Sequence, residues 1–87
     1  MTEYDSSFNS LYDFVECIER GCEVEFKYYN KKYSITRIKN NKLLICEFYN
    51  EDSEKVYNNA RGLLGYKLRN KPLKDLIPSL KIMSRSF

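Results

Sequence analysis

Apolar residues near the start of the chain recur at three- and four-residue spacing. Phe8, Leu11, Tyr12, Val15 and Ile18 form one stripe, which predicts a helix over residues 7–20. Phe14 widens it, and Asp13, Glu16, Glu19 and Arg20 mark the wet side. Asp5, Ser6 or Ser7 is placed to cap the free N–H groups at the start. Gly21 is placed to take the left-handed conformation that stops a helix. Residues 1–6 are polar and expected to fray.

The pattern then changes to alternation. Residues 23–29, 32–38 and 42–48 read as strands, with turns at Asn30-Lys31 and Asn40-Asn41. Two-residue loops at both turns set Phe26 opposite Ile35, Tyr28 opposite Tyr33, and Ile35 opposite Cys46. One sheet face then gathers Val24, Phe26, Tyr28, Tyr33, Ile35, Leu44, Cys46 and Phe48. The other carries Glu23, Glu25, Lys27, Tyr29, Lys32, Ser34 and Thr36. Ile38, Leu43 and Ile45 fall together on that polar face, as a patch covered by a C-terminal helix or open to a partner.

Residues 49–53 read as a polar loop. Beyond it, either a helix runs from about 54 to 64, or the chain stays extended to Tyr57 and Asn58 caps a shorter helix ending at Leu64. Gly62 costs about 1 kcal/mol inside a helix in either case, and the shorter helix is preferred. Asn70 or Lys71 opens a last helix, with Pro72 in its first turn and Pro78 ending it near Ile77. Residues 79–84 are extended or a final half-turn, and 84–87 are loose. The expected fold class is α+β. It is a two-layer arrangement with the N-terminal helix packed on a three-stranded antiparallel meander, followed by two short helices, in the order α-β-β-β-α-α. With 87 residues, a single domain over 1–87 is expected.

Composition removes several chemistries. The chain has no histidine, which takes away most metal sites and imidazole acid–base catalysis. The three glycines, Gly21, Gly62 and Gly65, form no phosphate-cradling loop. Cys17, Cys22 and Cys46 match no zinc spacing, and with no apolar leader at Met1–Asp5 they read as reduced thiols in a cytoplasmic protein. Cys17 and Cys22 flank the predicted helix end. No stretch is apolar and long enough to span a bilayer. Glu47, Glu51, Asp52 and Glu54 match no calcium loop and read as a solvated loop. No enzyme activity, cofactor or metal is expected.

Charge is segregated although the net is only +3. Residues 1–26 hold seven acids and one base, residues 27–46 six bases and no acid, and residues 55–87 eight bases and one acid. The hairpin residues Lys27, Lys31, Lys32, Lys39 and Lys42, joined by Lys67, Arg69, Lys71 and Lys74, make a basic surface. Tyr29 among them is suited to stacking on a base while the ammonium groups face phosphates. The acidic helix side is suited instead to a basic protein. Of the eight tyrosines, Tyr12, Tyr28 and Tyr33 are expected at the core, and Tyr4, Tyr29, Tyr49, Tyr57 and Tyr66 at the surface.

Three stretches carry a resemblance: Leu11 to Tyr28 through Glu19-Arg20-Gly21, then Lys32 to Thr36 leading into Cys46-Glu47-Phe48-Tyr49, then Leu63-Leu64 with Lys71 to Ile77. In these the chain resembles a group of small uncharacterised proteins of low-GC Gram-positive bacteria, some encoded near phage or mobile-element genes. The resemblance implies no activity and no functional residue. It implies a small accessory or inhibitory protein that works by contact.

The sequence thus leaves two readings. The first is a protein-binding module, with or without homodimerisation, whose contact surface is bordered by Tyr29, Ile38, Leu43 and Ile45. The second is a nucleic-acid-binding protein using Lys27, Tyr29, Lys31, Lys32, Lys39 and Lys42.

Overall fold

The computed structural model describes Phe8 and residues 10–86. Helix α1 (Leu11–Glu19) is opened by Ser10, whose hydroxyl accepts a hydrogen bond from the Asp13 N–H at 3.1 Å. The predicted start at residue 7 is therefore too early. The expected caps Asp5, Ser6 and Ser7, and the fraying of 1–6, lie outside the described residues. Phe8 precedes the cap and packs edge-on against Phe14, with ring centroids 5.2 Å apart, in the manner of a hydrophobic staple. Phe14 and Ile18, four residues apart, form the fully buried line of the helix. Tyr12 is 72% exposed, not core, because it lies off that line. The helix stops at Gly21, with φ of 96°. The Gly21 N–H donates to the Ile18 carbonyl and the Cys22 N–H to the Cys17 carbonyl, both at 3.1 Å. This pair of hydrogen bonds is the Schellman motif.

Strands β1 (Glu23–Tyr28), β2 (Lys31–Ile38), β3 (Lys42–Glu47) and β4 (Asn50–Tyr57) follow as a meander. Helix α2 (Ala60–Leu63) comes next, then a small hairpin of β5 (Lys67–Leu68) and β6 (Lys71–Pro72), 3-10 turns at Leu73–Asp75 and Ile77–Ser79, and strand β7 (Lys81–Ser86). The main sheet has five antiparallel strands in the order β4-β3-β2-β1-β7. The fold is α+β, as expected, but the sheet has two strands more than the predicted meander.

The differences have local causes. The first turn is Tyr29-Asn30, one residue earlier than expected, so Val24 pairs with Ile35 and Phe26 with Tyr33. That shift of two in pairing keeps the same residues inward. The second turn has three residues, Lys39–Asn41, with Ile38 opposite Lys42. The extra residue flips β3, because side chains alternate along a strand. Leu43 and Ile45 are consequently buried to within 1% of full burial. Leu44 and Cys46 turn outward, and Phe48 is a turn residue. The expected patch of Ile38, Leu43 and Ile45 does not exist.

The extended option through Tyr57 is the one adopted, but the cap is Asn59 rather than Asn58: its side-chain oxygen accepts from the Gly62 N–H at 2.8 Å. The predicted helix over 70–77 is replaced by the two 3-10 turns. Pro72 is extended there, with φ −70° and ψ 147°, and Pro78 cannot donate a fourth-residue hydrogen bond. Residues 81–84 take the extended option, and residues 84–86 are not loose, since they continue the pairing with β1.

The inner sheet face and the covering helices and turns share one core, built on Phe14, Ile18, Val24, Phe26, Ile35, Leu43, Ile45, Leu63, Leu73, Ile77 and Ile82. Arg37 braces one end of it: its guanidinium donates to the Ile18 carbonyl at 2.7 Å and to the Asn41 carbonyl at 3.1 Å. The Glu19 carboxylate accepts from the Ala60 N–H at 3.3 Å, joining the two helices. On the outer sheet face Glu23, Glu25, Lys32, Ile38 and Val56 are exposed.

Candidate nucleic-acid interface

The β1–β2 turn, the β3–β4 turn, the start of β7 and the tip of the β5–β6 hairpin converge at one end of the sheet. Tyr29 stands at this tip, 63% exposed. The Arg69 guanidinium lies over its ring at 4.1 Å from the centroid, close enough for a cation–π contact. Tyr28 meets Tyr29 edge-on, with centroids 4.7 Å apart. A cleft of about 300 Å³ lies between Tyr28, Tyr29, Asn30, Lys31, Tyr33 and Arg69. A broader open depression of about 630 Å³ adjoins it, reaching Lys71, Asp75, Leu76 and Ser79. Tyr49 at the neighbouring turn is fully exposed.

On the outer face beside the same tip, Lys32, Lys27 and Lys81 stand directly opposite one another across β2, β1 and β7. Like charges in directly opposed positions repel, and the arrangement destabilises a sheet unless an anion shares it. Lys31 is partly neutralised, with its Nζ 3.5 Å from a Glu47 carboxylate oxygen. Lys32 and Lys81 are exposed and Lys27 is half-buried.

Burial raises the pKa of Tyr33, and the nearby Glu47 charge adds to the effect. Burial also raises Tyr66 and Tyr57, with Tyr57 a further contributor at Tyr66. These phenols therefore remain protonated at neutral pH, able to donate hydrogen bonds but not to act as bases. Tyr57 and Tyr66 are half-buried rather than exposed as expected.

The structure divides the sequence-predicted residues. Lys27, Tyr29, Lys31 and Lys32 meet at the tip. Lys39 and Lys42 lie at the opposite end, roughly 23 Å away along β2 at about 3.3 Å per residue. Of the expected protein-contact residues, Tyr29 is at the tip, Ile38 is 38% exposed on the outer face, and Leu43 and Ile45 are core. Lys81 was absent from the predicted basic surface. The signal for it is the Leu80-Lys81-Ile82 alternation just after Pro78, which marks a strand with lysine on its wet side.

Among the described residues no group of three histidine, cysteine, aspartate or glutamate side chains could hold a metal ion. Nor is any helix among them long and apolar enough to cross a membrane. No protein-family model, curated protein or solved structure matches the chain.

Proposed function

We propose that the protein binds single-stranded nucleic acid at the tyrosine-bearing end of its sheet. The observation that supports this best is the in-register row Lys32–Lys27–Lys81, which flanks the turn that exposes Tyr29. The lysines suit phosphates, and the tyrosines suit unstacked bases; single strands offer both at once. The Tyr29–Arg69 pair offers a flat cationic surface on which a base can stack. Chemistry at the site is recognition only, with no catalytic step.

The test is fluorescence anisotropy with labelled single-stranded and duplex DNA and RNA at two salt concentrations. The expected result is tighter binding of single strands, with a log–log salt slope of about −2 for three phosphate contacts. Absence of binding at low salt, or binding indifferent to salt, overturns the reading.

A second reading, a protein-contact module, is favoured by one observation. Leu44 lies opposite Val56 on the outer face, Val56 is 51% exposed, and Ile38 is near by. This patch, rather than the one expected from sequence, would serve an accessory or inhibitory role of the kind the resemblance implies, or a homodimer. Light scattering on the eluting protein separates the homodimer from the monomer. A Val56→Lys variant that loses a dimer seen in the parent supports this second reading.

A further inference from the structure

The C-terminus of α1 places two thiols at positions that the backbone holds together. In a Schellman motif the side chain two residues after the cap frequently contacts one three or four residues before it. Here Cys17 and Cys22 occupy the positions three before and two after the cap, and the Cys22 N–H is bonded to the Cys17 carbonyl at 3.1 Å. That hydrogen bond limits their Cα separation to about 7 Å at most, and the bent path makes it shorter. The span falls within the range a disulfide bridges.

Neither thiol is in a disulfide, and the two differ in access. Cys17 is partly exposed and Cys22 is buried. Cys46 belongs to another region, on β3 in register with Ser34. Its Sγ lies 3.1 Å from the Glu47 carbonyl oxygen and 3.5 Å from that of Asn50. Neighbouring contacts hold the helix end in place: Arg37 on the Ile18 carbonyl, and Glu19 on the Ala60 N–H.

We infer that Cys17 and Cys22 form an intramolecular, peroxide-responsive disulfide at the end of α1. Hydrogen peroxide oxidises the Cys17 thiol to a sulfenic acid: the O–O bond breaks, an S–O bond forms and one water leaves. The Cys22 sulfur then attacks the Cys17 sulfur. The S–O bond breaks, the S–S bond forms, and the hydroxyl leaves with the Cys22 proton as a second water. Two thiols are oxidised and one peroxide is reduced to two waters. Cys17 is the entry point because it is the accessible partner, and Cys22 resolves the sulfenic acid before further oxidation.

Arg20 lies between the two cysteines, so trypsin cuts the segment that they would bridge. The folded protein is treated with hydrogen peroxide, alkylated, digested without reductant and examined by mass spectrometry. The expected product is the peptide ending at Arg20 linked to the peptide beginning at Gly21, with a loss of about 2 Da from the intact chain. Cys46 is expected to remain alkylatable, and a C17S variant to lose the link. Cys17 and Cys22 both alkylated, a link from either to Cys46, or only intermolecular dimers would overturn the inference.

Discussion

Both ends of the sheet turn the chain through left-handed backbone, but with different residues. At the far end, Asn40 and Asn41 take φ of 63° and 61°. Asparagine tolerates this left-handed region because its short side chain bonds locally. At the near end, Tyr29 and Tyr49 take φ of 56° and 63°. A bulky residue there costs on the order of 1–2 kcal/mol. The far end is also cross-braced, by Arg37 to Ile18 and Asn41 and by Glu19 to Ala60. The near end presents exposed aromatic rings and opposed lysines. One end thus follows the preferences of the backbone, and the other overrides them. Strain and repulsion kept at a surface point to a use outside the fold, which is the physical basis for the proposed interface at the tyrosine end.

The sharpest way to break that contrast is to remove a brace from each end. Arg37→Ala leaves two carbonyls without their charged donor and is expected to cost about 2 kcal/mol. For a domain of this size that lowers Tm by about 10 °C. Lys31→Ala removes a pair whose lysine is exposed and whose Glu47 is half-buried, and the expected loss is about 1 kcal/mol. Thermal melts of both variants decide the matter. Equal losses would mean that both ends are structural in the same sense.

Binding gives the next contrast. Replacing Lys27, Lys32 and Lys81 together with glutamine is expected to weaken single-strand binding at least tenfold, on the order of 1.4 kcal/mol. It should also bring the salt slope close to zero. Lys39→Gln with Lys42→Gln at the far end is expected to change affinity less than about threefold. Anisotropy titrations on the two sets measure this. Because the lysines of the row repel one another, their loss is not expected to lower Tm.

The two ends also explain which parts of the fold could be read from the sequence. Local signals survived: the Gly21 stop, the alternation in Val24–Tyr28, and the extended run to Tyr57 are all present. The turn at Lys39–Asn41 was located, but its length was not legible. Asparagine suits left-handed backbone in a two-residue and a three-residue loop alike. That single residue decided whether Leu43 and Ile45 or Leu44 and Cys46 faced inward, because both alternating sets are apolar enough to be buried. For strand β7 an extended segment over 79–84 was one of two options, but its place in the sheet was not legible, for another reason. Its pairing is with β1, more than fifty residues earlier in the chain, and no local pattern announces a partner so distant. The candidate interface inherited both effects. Lys27, Tyr29, Lys31 and Lys32 were visible as a group, whereas Lys81 joined them only through β7, and Lys39 and Lys42 were separated by the length of β2.

A smaller effect tests the strain argument directly. Tyr49→Gly removes a fully exposed side chain at positive φ and is expected to stabilise the fold by about 1 kcal/mol. The edge contact between Phe48 and Tyr49, with centroids 6.1 Å apart, offsets part of the gain. Placing tyrosine at the far end, as Asn40→Tyr, is expected to destabilise by a similar amount. Urea melts of the two variants should therefore move in opposite directions, and movement in the same direction removes strain as the distinguishing feature. The Tyr49→Gly protein is also expected to bind single strands more weakly despite its higher stability.

The smallest effect concerns the tyrosines behind the tip. Tyr33, Tyr57 and Tyr66 have pKa values raised above the ordinary 10.0, chiefly by burial. Below pH 10 these phenols are protonated in both the folded and the unfolded chain, so they give stability no slope. Above pH 10 the unfolded chain ionises them first, and the folded state holds more protons. Stability must then fall as pH rises from about 10 through the higher folded values. Tyr12, Tyr29 and Tyr49 are exposed and share less of this burial. An alkaline titration followed by tyrosinate absorbance should show a delayed rise from Tyr33, Tyr57 and Tyr66, coupled to unfolding. Tyr66→Phe should shrink the delayed step and shift alkaline unfolding to higher pH. Ionisation of these three without delay beyond the ordinary 10.0 would mean that burial does not shield them, and that the tip has no dry floor on which a base could stack.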